Sequence, residues 1–150
     1  MSNNSYLTVE EAQELADERL NVDAWEDADV ADQGKALIMA TQAIDRLNYR
    51  GDKTDEDQEL QFPRGGDEEV PVDIKRACFE IAVLLLDGLD PQLEGENLGM
   101  IAQGYANVRA TYDRELPMPH ISAGIYSIVA WRCLVPYLRD PYSVELIRQN

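Results

Sequence analysis

The chain has 150 residues, 29 acidic and 13 basic, for a formal charge of −16 and an isoelectric point near 4.2. That length suits one domain able to bury roughly 70% of its unfolded surface, whereas the charge excludes a broad basic patch of the kind that grips nucleic acid by displacing counterions. No segment approaches the roughly 20 apolar residues of a membrane span, and residues 1–6 lack a basic region followed by an apolar run, so a soluble cytosolic chain is expected.

Thr8-Val9-Glu10-Glu11 is a capping-box arrangement and predicts a helix from Val9 to about Arg19, with Ala12, Leu15, Ala16 and Leu20 at helical spacing. Trp25 lies among carboxylates in 21–32 and is expected to plug the junction of the first two helices, an interface anchor being the alternative. The second helix is predicted from Asp29 or Val30 to Leu47 or Asn48, with Leu37, Ala40, Ile44 and Leu47 on one stripe and Gly51 placed for a left-handed cap.

From 52 to 69 the chain is polar, and Asp52, Asp55, Glu56, Asp57, Glu59, Asp67, Glu68 and Glu69 greatly outnumber Lys53 and Arg64. This composition makes an acidic loop surface and favours disorder in the free chain. Both ends nevertheless look anchored, through Phe62-Pro63-Arg64 and Val70-Pro71. Within that turn Phe62-Pro63 is expected to fill a helix junction, while Arg64 either pairs a local carboxylate or bridges subunits.

Val72 to Asp87 reads as a central helix, apolar around most of its circumference, stopped by Gly88. Residues 92–119 read as two short strands or one extended hairpin, with Tyr105, Val108 and Tyr112 as further candidate inter-subunit contacts. A last helix is predicted over Ser122 to Val135, with Ile125, Ile128, Val129 and Trp131 packing inward and Pro136 ending it. Residues 140–150 look like a docking tail, carried by Tyr142, Val144, Leu146 and Ile147. The resulting fold class is mainly α: a single domain over 1–150, a bundle of about four helices, a long acidic loop and a short β excursion before the last helix.

No chemistry stands out. Cys78 and Cys133 sit in apolar helical contexts and read as buried thiols, a disulfide being the alternative. The single histidine, His120, suits a capping or surface role better than base catalysis. The acidic loop lacks the alternation and central glycine of a calcium loop, the Cys and His spacing does not suit zinc, and no phosphate loop is present. Neither an enzymatic activity nor a cofactor nor a metal site is expected.

Trp25, Lys35-Ala36-Leu37, Ala40-Thr41, Ile44-Asp45-Arg46, Tyr49, Gly51, Gln58, Leu60 and Phe62-Pro63-Arg64 follow an order and spacing that resembles the head-to-tail connector, or adaptor, proteins of tailed bacteriophages, with Trp131-Arg132 and Pro136-Tyr137-Leu138 similar to that family's last helix. The resemblance implies a structural virion protein, made in the host cytoplasm and placed in the neck. There it would form a ring, usually of twelve copies, between the portal protein and a tail or neck (stopper or terminator) protein. Its acidic loop would line a channel that DNA crosses without tight binding, since an acidic wall repels phosphates. Two alternatives remain beside it. Some sequences resembling this one carry a label likening them to a primosomal single-stranded-DNA-binding protein, although such proteins need basic grooves and aromatic platforms. The third is an acidic DNA mimic that occupies a basic partner.

Overall fold

The computed structural model describes residues 4–93 and 119–139. The fold is mainly α, built from α1 (Val9–Asp17), α2 (Asp23–Asp27), α3 (Val30–Asp45), α4 (Val72–Leu86), α5 (Pro119–Ser122), α6 (Ile128–Leu134) and a 3-10 turn over Val135–Tyr137. The expected β excursion falls largely on 94–118 and the docking tail on 140–150, both outside the described residues.

Helix α1 begins as the capping box predicts: the Glu11 amide donates to Thr8 Oγ1 and the Thr8 amide to Glu11 Oε1, each at 3.1 Å. It ends at Asp17, short of Arg19, whose guanidinium instead meets Glu80 of α4 through Nε at 2.8 Å and Nη2 at 2.9 Å. Glu80 is buried, and this two-pronged pairing satisfies a carboxylate that would be costly to leave alone. The 21–32 stretch holds a short helix not anticipated from sequence, which lodges Trp25 in the core with none of its surface exposed. Its indole donates to Gln13 Oε1 at 2.9 Å and its ring meets Phe79 edge-on at 5.6 Å. Trp25 is a core residue.

The longest helices, α3 and α4, pack most extensively against each other, and α4 also carries α6 on another side. Asp29 caps α3 by accepting the Asp32 amide at 2.8 Å. The helix closes at Asp45, earlier than expected, because the chain must extend for Tyr49 to bridge Leu138. Gly51 therefore serves the turn into the loop, at φ 72°, rather than a helix cap. Helix α4 ends at Gly88 in a Schellman motif, with the Leu89 amide donating to the Leu84 carbonyl and Gly88 to Leu85.

The predicted last helix starts only at Ile128, and the short helix α5 ends at Ser122, where the prediction begins. Gly124 adopts φ 85°, the Ile125 amide returns to the His120 carbonyl at 2.8 Å, and Ser127 caps a new start at the Ala130 amide, 3.1 Å away. The turn lets Ile125 and Trp131 both enter the core while Ile128 and Val129 stay about 40% exposed. His120 is buried against Trp131 rather than at the surface. Cys78 is a buried free thiol, pushed up to about 11 by burial; Cys133 is also free but only half-buried.

Candidate functional site

The polar segment joining α3 to α4 is knitted together despite its composition. Lys53 bridges Arg64 in antiparallel fashion, the Thr54 amide donates to the Pro63 carbonyl at 3.0 Å, and Gly65 to Asp52 at 2.9 Å. Gln58 braces the interior, its amide nitrogen donating to the Leu60 and Pro63 carbonyls at 2.8 and 3.0 Å. The loop contains a cis Phe62-Pro63 bond. Phe62 itself is buried among Tyr6, Tyr49 and Tyr137, whose rings meet it edge-on at 6.1, 4.6 and 5.8 Å. Such edge-to-face pairs add about 0.5–1.5 kcal/mol each to the burial of the ring.

The phenols around Phe62 are held as donors. Tyr6 donates to Asp45 and Tyr49 to the Ile44 carbonyl, the latter at 2.6 Å, and burial raises both phenols far above their ordinary range. Burial also lifts the Asp45 carboxyl, against the bonds from Tyr6 and Gln61 that pull it down.

Arg64 braces its own loop through carbonyl and amide oxygens, and among the described residues it pairs with no carboxylate. Its Nε donates to the Arg50 carbonyl at 3.0 Å, Nη1 to Gln61 Oε1 at 2.8 Å, and Nη2 to the Gly51 carbonyl. Its fellow candidates Tyr105, Val108 and Tyr112 lie outside the described residues, as do Tyr142, Val144, Leu146 and Ile147. The acidic set is brought to one surface: Asp52, Asp55, Glu56, Asp57, Glu59, Asp67, Glu68 and Glu69 are all exposed. Among the described residues no cluster of three or more His, Cys, Asp or Glu could hold a metal ion, and no helix is long and apolar enough to cross a membrane.

A second surface is invisible to local sequence reading. The bridge between Tyr49 and Leu138 is antiparallel, and both of these side chains are buried. Side chains alternate along extended backbone, so the flanking residues turn outward. Those residues are Arg50, whose amide donates to the Tyr137 carbonyl at 2.9 Å, and Arg139, whose amide donates to Asn48 at 3.1 Å. Both arginines are exposed. Arg50 uses Nε to reach the Leu138 carbonyl at 2.8 Å, which leaves its two terminal nitrogens without a partner among the described residues. Beside Arg50 opens a cleft of about 150 Å³ lined by Arg50, Phe62, Arg64, Gly65, Asp67, Pro71, Pro136 and Tyr137. Tyr137 donates to Asp73 at 3.1 Å; burial first, then that bond, then the charges of Asp73 and Asp67 raise its phenol. Arg50 and Leu138 are 88 positions apart, so only the tertiary bridge assembles this face.

No curated protein and no solved structure matches the chain. A family model does match, over residues 1–129, and it is not a model of phage connectors. That match overturns the connector expectation: the structural virion role, the twelvefold ring, the portal and stopper or terminator partners, the acidic channel, and DNA that passes without being bound. The physical reason the resemblance misled is that it rested on residues that build the core. Trp25, Leu37, Ala40, Thr41, Ile44, Tyr49 and Phe62 are all buried, and a shared core pattern speaks to fold rather than to function. The chain belongs to the family described as "Putative DnaT-like ssDNA binding protein".

Proposed function

We propose that this protein binds single-stranded DNA, through the outward face made by Arg50, Tyr137 and Arg139, and that it does so without a catalytic step. The family match over residues 1–129 carries the reading; the face supplies elements that such binding uses, guanidinium groups for phosphates beside an aromatic side chain for a base.

The net charge sets the terms. At −16 the whole molecule repels a polyanion, so attraction is confined to this face and the contact is weak. A flexible single strand can touch Arg50 and Arg139 and turn away, whereas a rigid duplex brings a second row of phosphates toward the carboxylates of the neighbouring loop. Two phosphate contacts give a salt slope of about −1.4 in log–log terms for a single strand, about sevenfold weaker binding for each fourfold rise in salt.

Fluorescence anisotropy of a labelled mixed-sequence oligodeoxynucleotide, single-stranded and as its duplex, tests the proposal at low salt. The single strand is expected to bind more tightly than the duplex, with that shallow slope, and an Arg50→Glu/Arg139→Glu double variant is expected to lose the interaction. Absence of any binding to the single strand, or binding unchanged in the double variant, would overturn it.

A further inference from the structure

We infer that the cleft beside Arg50 receives one base, and that Asp67 makes it favour guanine over thymine; the inference rests on the single-strand reading above. The cleft has apolar sides, Pro136 and Tyr137 from the 3-10 turn and Pro71 from the start of α4, and a volume of about 150 Å³. Its polar groups differ in availability. Arg64 is engaged with carbonyls of its own loop and the Tyr137 hydroxyl with Asp73. The Asp67 carboxylate has no partner among the described residues, yet it lies near enough for its charge to reach Tyr137.

Charge decides which part of a nucleotide goes where. A phosphate beside Asp67 is repelled, while Arg50, whose terminal nitrogens are without a partner among the described residues, lines the same cleft and Arg139 is exposed two residues beyond Tyr137. The backbone is thus held outside and the base points in. A carboxylate only accepts hydrogen bonds. The Watson–Crick edge of guanine offers two adjacent donors, N1–H and the N2 amine, matching the two carboxylate oxygens. Cytosine and adenine offer one amine each. Thymine offers one N3–H flanked by two carbonyl oxygens, which meet the carboxylate with like partial charge. The expected order is guanine first, cytosine and adenine between, thymine last.

Binding of an all-thymine oligonucleotide is compared with that of the same oligonucleotide carrying one central guanine, using the full chain and an Asp67→Asn variant. Asp67 is exposed and holds its turn through its backbone, the carbonyl accepting from the Thr54 hydroxyl and the amide donating to Arg64, while its carboxylate accepts no bond among the described residues, so the variant is expected to fold normally. The wild type should prefer the guanine guest by about tenfold, the scale of one good two-pronged base contact. Asp67→Asn should abolish that preference chiefly by tightening binding of the all-thymine strand, because it removes the negative charge that meets thymine's carbonyl oxygens; a merely structural role would not raise affinity. Equal binding of the two strands by the wild type, or a preference that survives in Asp67→Asn, overturns the inference while leaving single-strand binding intact. If neither strand binds at low salt, the single-strand reading fails and this inference with it.

Discussion

The α3–α4 pair and the loop that joins its ends both reach the core, by opposite means. Across the helix pair, burial is shared among Leu37, Ala40, Thr41 and Ile44 on one side and Ile74, Ala77, Cys78 and Ile81 on the other. Across the loop, eight exposed carboxylates surround one buried ring, Phe62, one engaged guanidinium, Arg64, and one bracing amide, Gln58. The difference teaches where each can fail. Shared burial fails cooperatively, whereas burial resting on one anchor can open locally before the whole unfolds.

Truncation of the anchor should have the largest effect. Phe62→Ala removes a ring packed against three tyrosines, and is expected to cost about 3–5 kcal/mol in urea unfolding. Leu37→Ala in the helix pair should cost about 2–5 kcal/mol by the same cavity argument. Hydrogen exchange separates the two: Phe62→Ala should expose amides of 49–65 first, and Leu37→Ala should lower the protection of α3 and α4 together. Equal protection losses everywhere in both variants would break the comparison.

Arg64 comes next. Arg64→Ala strips hydrogen bonds from the carbonyls of Arg50 and Gly51 and from Gln61, at an expected cost of about 1–3 kcal/mol. Arg64→Lys should recover little of it, because an ammonium lacks the planar fork that reaches several acceptors at once. A lysine variant as stable as the wild type would show that charge alone suffices there.

How much of this was legible follows the same division. The cap of α1, the start of α3 near Asp29, the stop at Gly88 and the burial of Trp25 could be read from the chain because each depends on neighbours within a few residues or on a single large apolar side chain. The local bonds of Arg64 go to carbonyl and amide oxygens rather than to the carboxylate its sequence neighbours suggested, because the turn brings the oxygens of Arg50, Gly51 and Gln61 within its reach. The turn at Gly124 was missed because Ile125, Ile128, Val129 and Trp131 fall at helical spacing; the deciding event is tertiary, the turn that seats Ile125 in the core. The order of the loop was missed because acidic composition argues for solvation, and Gln58 gives no sign in sequence of bonding two carbonyls inward. The Arg50–Tyr137–Arg139 face joins segments far apart, and nothing local marks it. The connector resemblance carried core positions, which is why it could describe a helical fold and mislead on function.

Gln58 offers a smaller test of the same loop. Gln58→Ala leaves the Leu60 and Pro63 carbonyls without that amide and the Asp55 amide without its acceptor, for an expected loss of about 1 kcal/mol. The effect should be additive with Leu37→Ala and coupled to Phe62→Ala, since Gln58 and Phe62 share the same turn.

The smallest effect lies outside both regions, at His120, and it is set by pH. Burial holds this imidazole below its ordinary pKa, so the native state resists a proton that the unfolded chain accepts near pH 6.5. Below that value the unfolded state binds more protons than the native one, and stability falls with pH until the folded pKa is passed; above it the contribution is complete. His120 is the only histidine, and the buried phenols and the Cys78 thiol titrate far above this window. Asp45, whose carboxyl is raised by burial, works in the opposite sense and is common to both proteins when wild type is compared with His120→Gln. The difference in urea midpoint between those two should therefore be constant above roughly pH 7 and shift in favour of the variant as pH falls from there. A difference that stays flat through the histidine range would mean that His120 is as free to take a proton in the folded chain as in the unfolded one, and that the turn between α5 and α6 does not close over it.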